Sequence, residues 1–357
     1  MAVALVYDRI NKIGGAEQVL LAFNELYPEA DWYTGFWNPL TAPFSRTWRV
    51  HSFRFLHNHH EWFPWIMPFI FESFDFGSYD LVISIGSAES KGIITRPGTV
   101  HLNYCLTPTR YLYSHKDEYL SNPVYRFVAN ILRKWDLVAS IRPDEMIAIS
   151  TQVKNRIKKY YKRDSDIVFP PVDVNKYYTS IMPTRTLLVG EYFLTVSRLV
   201  SYKKIDVLIK AANHAQVNLM IIGEGAQYKK LKALAGPTVT FLGLVPDKDL
   251  PKYYQNCKAF LHAGEEDFGI GMVEAQAAGR PVIAYREGGA QDIVIPGKTG
   301  ILLEENSIVS FTTVLKEFDT MTFDPLDCQN NAQRFDKSIW MKQISERINQ
   351  ICQTYQK

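Results

Sequence analysis

The second half of the chain alternates short apolar runs with helix-forming segments, and this alternation constrains the fold more than any other feature. The apolar runs predict strands near 192–197, 217–222, 239–242, 259–262 and 282–285. The segments that separate and follow them predict helices near 204–214, 226–235, 247–256, 270–278 and 289–294. Strands that alternate with helices form a parallel sheet with helices on both faces. The sequence therefore predicts a doubly wound α/β domain here.

The first half opens in the same way. An apolar run at Val3–Val6 is followed by Gly14–Gly15 and then by a helix-forming segment. Further strands are expected at 79–85, 100–106, 146–149 and 167–169, with a helix from about residue 152. A second α/β domain of the doubly wound class is therefore predicted. The glycine pair either permits a tight turn or lets backbone amides approach a phosphate.

Pro170 and Pro171 mark the boundary between the two halves. Consecutive prolines continue neither a helix nor a central strand, so we interpret them as a linker. The predicted domains are residues 1–171 and 172–337, and a chain of 357 residues is long enough for two cores.

Composition excludes several classes of protein. With 46% hydrophobic residues and a net charge of +3, the chain is an ordinary globular one, and no nucleic-acid partner is expected. The four cysteines form no CxxC pair, which argues against a zinc site or a disulfide framework. No signal peptide or spanning helix is predicted, so the expected location is cytoplasmic. The basic stretch 154–163 is best interpreted as a solvated helix face, with attraction to an anionic membrane as the alternative.

Two groups of residues suggest a metal site without completing one. His57, His59 and His60 lie in an aromatic-rich segment that has no nearby cysteine or spaced carboxylate. In the same segment, packing is favoured over a membrane-facing or acceptor-binding ledge for four residues, Trp62, Pro64, Trp65 and Pro68. Asp164-x-Asp166 lies in a basic linker, and Asp247-x-Asp249 lies at a predicted helix start, where aspartates cap. No metal is expected.

The loop between the apolar runs at 259–262 and 282–285 carries the strongest chemical signal. Glu266 lies at the carboxyl end of a predicted strand, and Glu274 lies about one turn into the next helix. Gly269 and Gly271 let a ligand approach the helix N-terminus, where unpaired amides and the helix dipole favour phosphate. The two carboxylates can accept hydrogen bonds from hydroxyls. The loop therefore predicts a ligand with both phosphate and hydroxyl groups.

This segment resembles the Glu-x7-Glu signature of the GT4-type retaining glycosyltransferases, including Phe268-Gly269, Glu274-Ala275 and Gly279-x-Pro281-Val282. The resemblance implies a GT-B architecture, in which two Rossmann-like, doubly wound parallel-sheet domains face a central cleft. It also implies that a C-terminal helix of about 338–357 packs back on the N-terminal, acceptor-side domain, and that the Gly14–Gly15 loop faces the cleft.

The resemblance assigns roles in the donor site. Arg198 and Lys203 resemble the pair that clamps the donor diphosphate. Glu266 would hold the donor sugar, and Glu274 would hold the ribose hydroxyls. The remaining donor-site candidates are backbone positions that face the sugar, the diphosphate or the nucleotide base: Gly269, Ile270, Gly271, Gly223 and Val245.

Thr107-Pro-Thr-Arg-Tyr111 resembles the His-Thr-Pro-x-Arg-Tyr loop of GT4 mannosyltransferase-like proteins. Thr107 and Arg110 are therefore the acceptor-side candidates. Leu106 stands where that pattern carries histidine, and we interpret His101, earlier on the strand, as a packed residue.

The resemblance implies transfer of a sugar from a nucleotide-diphosphate sugar, with retention of configuration, to a hydroxyl of a saccharide or lipid-linked saccharide in polysaccharide biosynthesis. The Tyr-Lys-Lys-Ile-Asp segment at 202–206 resembles that of GDP-mannose-using members, which implies GDP-mannose as the donor, and no cofactor is expected. If the acceptor is lipid-linked, peripheral attachment to the cytoplasmic face of the membrane is expected. The alternatives are a UDP-sugar-dependent transferase, a sugar-nucleotide epimerase and a non-catalytic nucleotide-sugar binder.

Overall fold

Short, strongly apolar strands organise both halves of the protein, as a computed structural model shows. The structure describes residues 1–12, 14–53, 65–114, 123–178 and 191–355. Five residues of the aromatic-rich segment for which a metal or ledge role was considered lie outside the described residues: His57, His59, His60, Trp62 and Pro64.

Thirteen strands are formed by the described residues. They are β1 (Val3–Tyr7), β2 (Asp31–Thr34), β3 (Arg49–Ser52), β4 (Leu81–Gly86), β5 (Val100–Cys105), β6 (Glu145–Ala148), β7 (Asp166–Ile167), β8 (Tyr192–Val196), β9 (Asn218–Ile222), β10 (Val239–Gly243), β11 (Phe260–His262), β12 (Val282–Tyr285) and β13 (Gly300–Leu303).

The α-helices of the same part of the chain are α1 (Gly15–Leu26), α2 (Met67–Glu72), α3 (Pro123–Ala139), α4 (Thr151–Tyr161), α5 (Ile205–Ala215), α6 (Tyr228–Leu234), α7 (Leu250–Asn256), α8 (Ile270–Ala277), α9 (Ala290–Ile293), α10 (Ile308–Glu317), α11 (Pro325–Ala332) and α12 (Lys337–Tyr355). Among the described helices, none combines the length and the apolar character needed to cross a bilayer.

The chain divides into two compact units. The first comprises Met1–Pro171 together with Ser338–Lys357, and the second comprises Val172–Lys337. The first unit holds a seven-stranded sheet in the order β3-β2-β1-β4-β5-β6-β7, and the second holds a six-stranded sheet in the order β10-β9-β8-β11-β12-β13. Every strand pair in both sheets is parallel. The predicted doubly wound α/β class is therefore confirmed for both halves.

The central strands are apolar on both faces because helices cover both sides of each sheet. All five residues of β1 and all six residues of β4 are buried. In the second unit, the core joins strand residues such as Leu219 and Ile283 to Leu208 of α5 and Phe311 of α10.

An aromatic cluster anchors α12 within the first unit. Trp340 packs edge-on against Phe23, with ring centroids 4.8 Å apart, and its indole N–H donates to the hydroxyl of Tyr104. The Tyr104 hydroxyl in turn donates to the carbonyl of Val168. Since Trp340 is almost completely buried, its apolar surface contributes strongly to holding the helix in place.

The predicted strands and helices of the second half are all present, within three residues at each end. The sequence analysis missed β2 and β3, which are only four residues long, and β13, in which two of four residues are half-buried. It also passed over α2, α3, α10 and α11. Short strands with polar residues lack a clear alternation, so periodicity gives them little signal.

Candidate functional site

The order of strands in the second unit places the ends of β8 and β11 at a topological switch point. The chain runs outward from β8 through β9 to β10, and then returns to pair β11 with the other edge of β8. In open parallel sheets, ligands bind outside the carboxyl ends of the strands at such a point. Arg198 and Lys203 follow β8, and Glu266 and Gly269 follow β11. The sheet therefore brings these predicted donor residues to one edge.

Glycines allow the loops at this edge to lie in direct contact. A Cβ on Gly264 would lie 3.0 Å from Cα of Lys203. Gly288 has φ +70°, and a Cβ there would collide with the carbonyl of Glu266. The amide of Gly289 donates to that same carbonyl at 2.9 Å. The backbone of Glu266 is thus fixed between the loops that follow β8 and β12.

Lys203 and Glu266 form an ion pair at the centre of this edge. Their side chains are 10% and 20% exposed, so the pair is shielded but reachable from solvent. His262, at the end of β11, is buried, and burial together with the nearby charge of Lys203 lowers its pKa to about 3. The neutral imidazole adds no positive charge, so the lysine is the cation that faces Glu266 at this position.

Glu274 is held by two tyrosines that the sequence analysis missed. The Tyr177 hydroxyl donates to Oε1 at 2.8 Å, and the Tyr254 hydroxyl donates to Oε2 at 2.7 Å. Burial raises the pKa of Glu274, while the two hydrogen bonds oppose that rise. Both tyrosines are fully buried and their rings pack edge-on, 5.3 Å between centroids. The carboxylate is therefore fixed in orientation and keeps lone pairs for further donors.

Helix α8 begins at Ile270 as predicted and carries Glu274 in its second turn. Gly269 precedes it with φ +103°, a conformation that favours glycine. Gly271 lies close to the ring of Phe260 and the hydroxyl of Tyr254, where a Cβ would be 3.1 and 3.2 Å away. The helix ends at Ala277 and Gly279 has φ +75°, which confirms the predicted helix stop.

The other donor-site candidates lie at the same edge of the sheet. Arg198 is exposed and donates to the hydroxyl of Tyr202 at 2.7 Å. Gly223 follows β9 with φ +130°, and a Cβ there would collide with the carbonyl of Ser197. Val245 lies two residues after β10 and is half-buried. The roles assigned to these residues stay predictions.

Residues 189–335 match the family model described as "Glycosyl transferases group 1". This match covers nearly all of the second unit. The second unit is a group 1 glycosyltransferase domain. The resemblance proposed from the loop at Glu266 and Glu274 is thereby confirmed for this unit.

Curated relatives agree with this family. A GDP-mannose-dependent alpha-mannosyltransferase of Mycobacterium tuberculosis is 39% identical over 109 residues, which is 30% of this chain and 29% of the relative. An uncharacterized glycosyltransferase of Methanocaldococcus jannaschii is 28% identical over 176 residues, 47% of this chain and 48% of the relative. The matches thus span no more than about half the length of these relatives.

Solved structures match the whole chain and confirm the predicted GT-B fold with its two Rossmann-like domains. HepE of Anabaena, crystallised with UDP and glucose, has a TM-score of 0.73 at 20% identity, covering 98% of this chain and 99% of HepE. Sucrose-phosphate synthase of Thermosynechococcus elongatus has a TM-score of 0.75 at 18% identity, with 98% and 99% covered. At these identities the likeness concerns the fold.

Both aspartate pairs of the sequence make ordinary surface ion pairs. In the first unit, Asp164 pairs with Lys158 at 3.5 Å and Asp166 with Arg347 at 2.5 Å. In the glycosyltransferase domain, Asp247 forms an ion pair with Lys176 at 2.6 Å and Asp249 pairs with Lys252 at 3.2 Å. Asp249 does precede α7, but its side chain makes no capping hydrogen bond, so the predicted cap is wrong. The lysine three residues along the helix competes for the carboxylate. Within the described residues, no group of three metal-binding side chains is found.

In the first unit, Gly14 precedes α1 with an extended backbone, and both Gly14 and Gly15 are exposed. Thr107 is buried and its hydroxyl accepts a hydrogen bond from Arg156 of α4 at 3.3 Å. Arg110 is half-buried.

Leu106 and His101, which the sequence analysis singled out, precede the loop 107–113. Leu106 is buried, and its amide extends the pairing of β4 with β5. His101 is confirmed as a packed residue, because it is fully buried and its Nε2 lies 2.8 Å from the hydroxyl of Ser84. Burial and the charges of Arg163 and Arg142 lower its pKa to about 3.

Buried charges underlie this loop. Lys91 donates to Asp136 at 2.5 Å, to the hydroxyl of Thr109 at 3.2 Å and to the carbonyl of Ala88 at 2.6 Å. Nearby, Tyr111 donates to Glu89 at 2.7 Å. Lys91 and Asp136 stand 45 positions apart in the sequence, so no local pattern could have paired them. They fix the loop through α3.

Proposed function

We propose that this protein is a retaining glycosyltransferase that transfers a sugar from a nucleotide-diphosphate sugar to a hydroxyl of a saccharide or lipid-linked saccharide. The ion pair of Lys203 and Glu266 at the switch point supports this most directly. It places a cation for the leaving diphosphate beside a carboxylate for the sugar hydroxyls, within a group 1 glycosyltransferase domain.

In the proposed reaction, the bond between the sugar carbon and the diphosphate oxygen breaks, and negative charge develops on the diphosphate. Arg198 and Lys203 donate to that anion, and the amide end of α8 adds its positive dipole. Fixed charges of this kind stabilise a transition state more than the ground state. Glu266 accepts hydrogen bonds from the sugar. When the donor binds, Lys203 exchanges its contact with Glu266 for a contact with phosphate.

Glu274 binds the ribose hydroxyls of the nucleotide in this proposal. Its two oxygens keep acceptor capacity beyond the bonds from Tyr177 and Tyr254. The departing phosphate takes the proton of the acceptor hydroxyl, so no separate side-chain base is required. The new glycosidic bond forms on the face that the diphosphate leaves, which preserves the anomeric configuration.

GDP-mannose is the proposed donor. The mannosyltransferase of Mycobacterium tuberculosis, named for this donor, is 39% identical over 109 residues. We propose a cytoplasmic location and an acceptor in polysaccharide biosynthesis.

We also propose that transfer needs no metal ion. Because Arg198 and Lys203 supply the charge that a metal ion would otherwise provide, transfer is expected to persist at full rate after treatment with EDTA.

A thermal-shift screen of GDP-, UDP- and ADP-sugars tests the donor. A ligand that binds only the folded protein raises the melting temperature, so GDP-mannose should give the largest rise. A UDP-sugar that gave a larger rise would be the donor in place of GDP-mannose.

Transfer or donor hydrolysis should be lost in Glu266→Ala and Arg198→Ala variants. If the protein bound no sugar nucleotide, the proposed function would be wrong.

A further inference from the structure

Helix α3 of the first unit presents an apolar stripe to solvent. Phe127, Ile131 and Val138 are 68%, 55% and 52% exposed. Their spacing of four and seven residues places them on one side of the helix. Ile141, in the turn that follows the helix, extends the stripe and is also exposed.

The opposite side of α3 already supplies the contacts that hold it to the unit. Ala129 and Leu132 are buried and pack with Leu112. A surface helix of a globular protein has one apolar side that faces the core and a polar side that faces water. On α3 the apolar residues instead extend from the covered side onto the exposed side of the helix. A contiguous apolar patch of this kind marks an interaction surface.

Exposed cations surround the stripe. Lys134 lies between Ile131 and Val138 on the same side of α3, and Arg126 lies beside Phe127. The one acidic residue of α3, Asp136, is buried in its ion pair with Lys91. Within the described part of α3, the exposed side chains are therefore mostly apolar or basic, and none of them is a carboxylate.

The neighbouring helix α4 adds to this charge. Arg163, just after α4, donates to the carbonyls of Ser140 and Pro143 at 2.9 and 2.6 Å, which fixes the two helix ends side by side. Three lysines of this second segment are exposed, Lys158, Lys159 and Lys162, and the first of them pairs with the exposed Asp164 at 3.5 Å. A second copy of the same surface would bring like charges together, which disfavours self-association through it.

We propose that the stripe on α3, with the cations of α3 and α4, is a docking surface for an anionic phospholipid bilayer. An amphipathic helix that binds at an interface inserts its apolar side among the acyl chains while its basic residues meet anionic headgroups. The long stem of Lys134 lets its ammonium reach the headgroups from within the stripe.

The position of the surface matches a lipid-linked acceptor, an extension that rests on the proposed function. The loop 107–113 lies between the two helices. Arg133 of α3 donates to the carbonyl of Leu112 at 2.6 Å, and Tyr113 stacks on Tyr160 of α4, 4.6 Å between centroids. Docking would hold this loop, which carries the acceptor-side candidates, beside the membrane.

Flotation of the full chain with vesicles tests the docking surface. The protein should float with vesicles of phosphatidylcholine mixed with phosphatidylglycerol, should stay unbound with phosphatidylcholine alone, and should be released by added salt. Ile131→Glu and Val138→Glu should each lower partitioning by about tenfold. Lys134→Ala should lower it about fivefold.

Val309→Glu is the matched control. Val309 is 73% exposed on α10 of the second unit, so this variant should float like the wild type. The melting temperature and its rise with a sugar nucleotide show that each variant is folded, and they test the proposed function independently of vesicle binding. Failure of the wild type to float, or full flotation of Ile131→Glu, would overturn the docking surface. So would a dimer in sedimentation that Ile131→Glu dissociates without any vesicle binding.

Discussion

Each unit of this protein holds a lysine–carboxylate pair, and the two pairs differ in their surroundings. In the first unit, Lys91 and Asp136 have side chains that are 5% and 1% exposed, and the ammonium has two further oxygen partners. In the second unit, Lys203 and Glu266 are more exposed and lie on loops at the switch point of the sheet. The first pair is enclosed by the fold, whereas the second faces the edge where the donor is proposed to bind.

This difference indicates what each pair does. A buried pair is costly to form, and breaking it is costlier still, because one charge is left without compensation. A pair at the surface of a binding edge can exchange its partner for a ligand at little cost in stability. The same two functional groups therefore predict a loss of stability in one unit and a loss of activity in the other.

The largest expected effect is on stability, from Lys91→Met. Removing the buried cation leaves Asp136 unpaired and should lower the free energy of unfolding of the first unit by about 3–5 kcal/mol. Urea unfolding measures this. The double variant Lys91→Met with Asp136→Leu should recover much of the loss. Arg96→Met, which breaks an exposed pair with Asp75, should cost no more than about 1 kcal/mol. An equal loss in both single variants would contradict the structural role of Lys91.

The counterpart in the second unit is Lys203→Ala. Loss of the cation at the leaving diphosphate should lower kcat by about 10²–10³-fold, with a much smaller change in stability than Lys91→Met gives. Steady-state transfer assays measure it. The control is Lys204→Gly, since Lys204 is exposed and has φ +54°, a conformation that glycine adopts without strain. Unchanged kcat in Lys203→Ala would remove the proposed role of the pair.

A smaller effect, the loss of stability at acidic pH, is expected in both units. Each has a buried histidine, His101 or His262, whose pKa is lowered to about 3. The unfolded chain binds protons that the folded chain excludes, so stability should fall as pH drops below about 6.5. From about 6.5 to about 5, each histidine should cost about 2 kcal/mol. His101→Gln and His262→Gln should each flatten the pH dependence of unfolding for their own unit. An unaltered slope in either variant would show that another group titrates in this range.

The positions of the proposed donor residues in the fold were largely predictable from the sequence, because these residues belong to local strand–loop–helix segments. Glu266, Gly269 and Glu274 lie within nine positions, and the loop that carries them is fixed by glycines that the sequence displays.

What the sequence did not predict depends on contacts between distant positions. Tyr177 meets Glu274 across 97 positions, and Lys91 meets Asp136 across 45. The exposed stripe of α3 was also missed, since its apolar residues continue those of the covered side of the same helix. Periodicity reports which residues share a side of a helix, but only the packing shows which side is covered.

The smallest expected effect sharpens the assignment of Glu274. Tyr254→Phe and Tyr177→Phe each remove one hydrogen bond to a carboxylate and should weaken binding of GDP by about tenfold. The turnover number at saturating donor should stay unchanged, and Tyr253→Phe, at the neighbouring position of α7, should bind GDP like the wild type. Calorimetric titration measures these affinities.

A second titration with 2′-deoxy-GDP separates positioning from general support of the fold. If the tyrosines orient Glu274 toward the ribose, the penalty of Tyr254→Phe should shrink when the hydroxyl that Glu274 would bind is absent. If the tyrosines only support the domain, the penalty should be the same for both nucleotides. Lys203→Ala, which acts on the diphosphate, should weaken both nucleotides equally. Comparing GDP with 2′-deoxy-GDP therefore distinguishes residues proposed to act on the ribose from those proposed to act on the diphosphate.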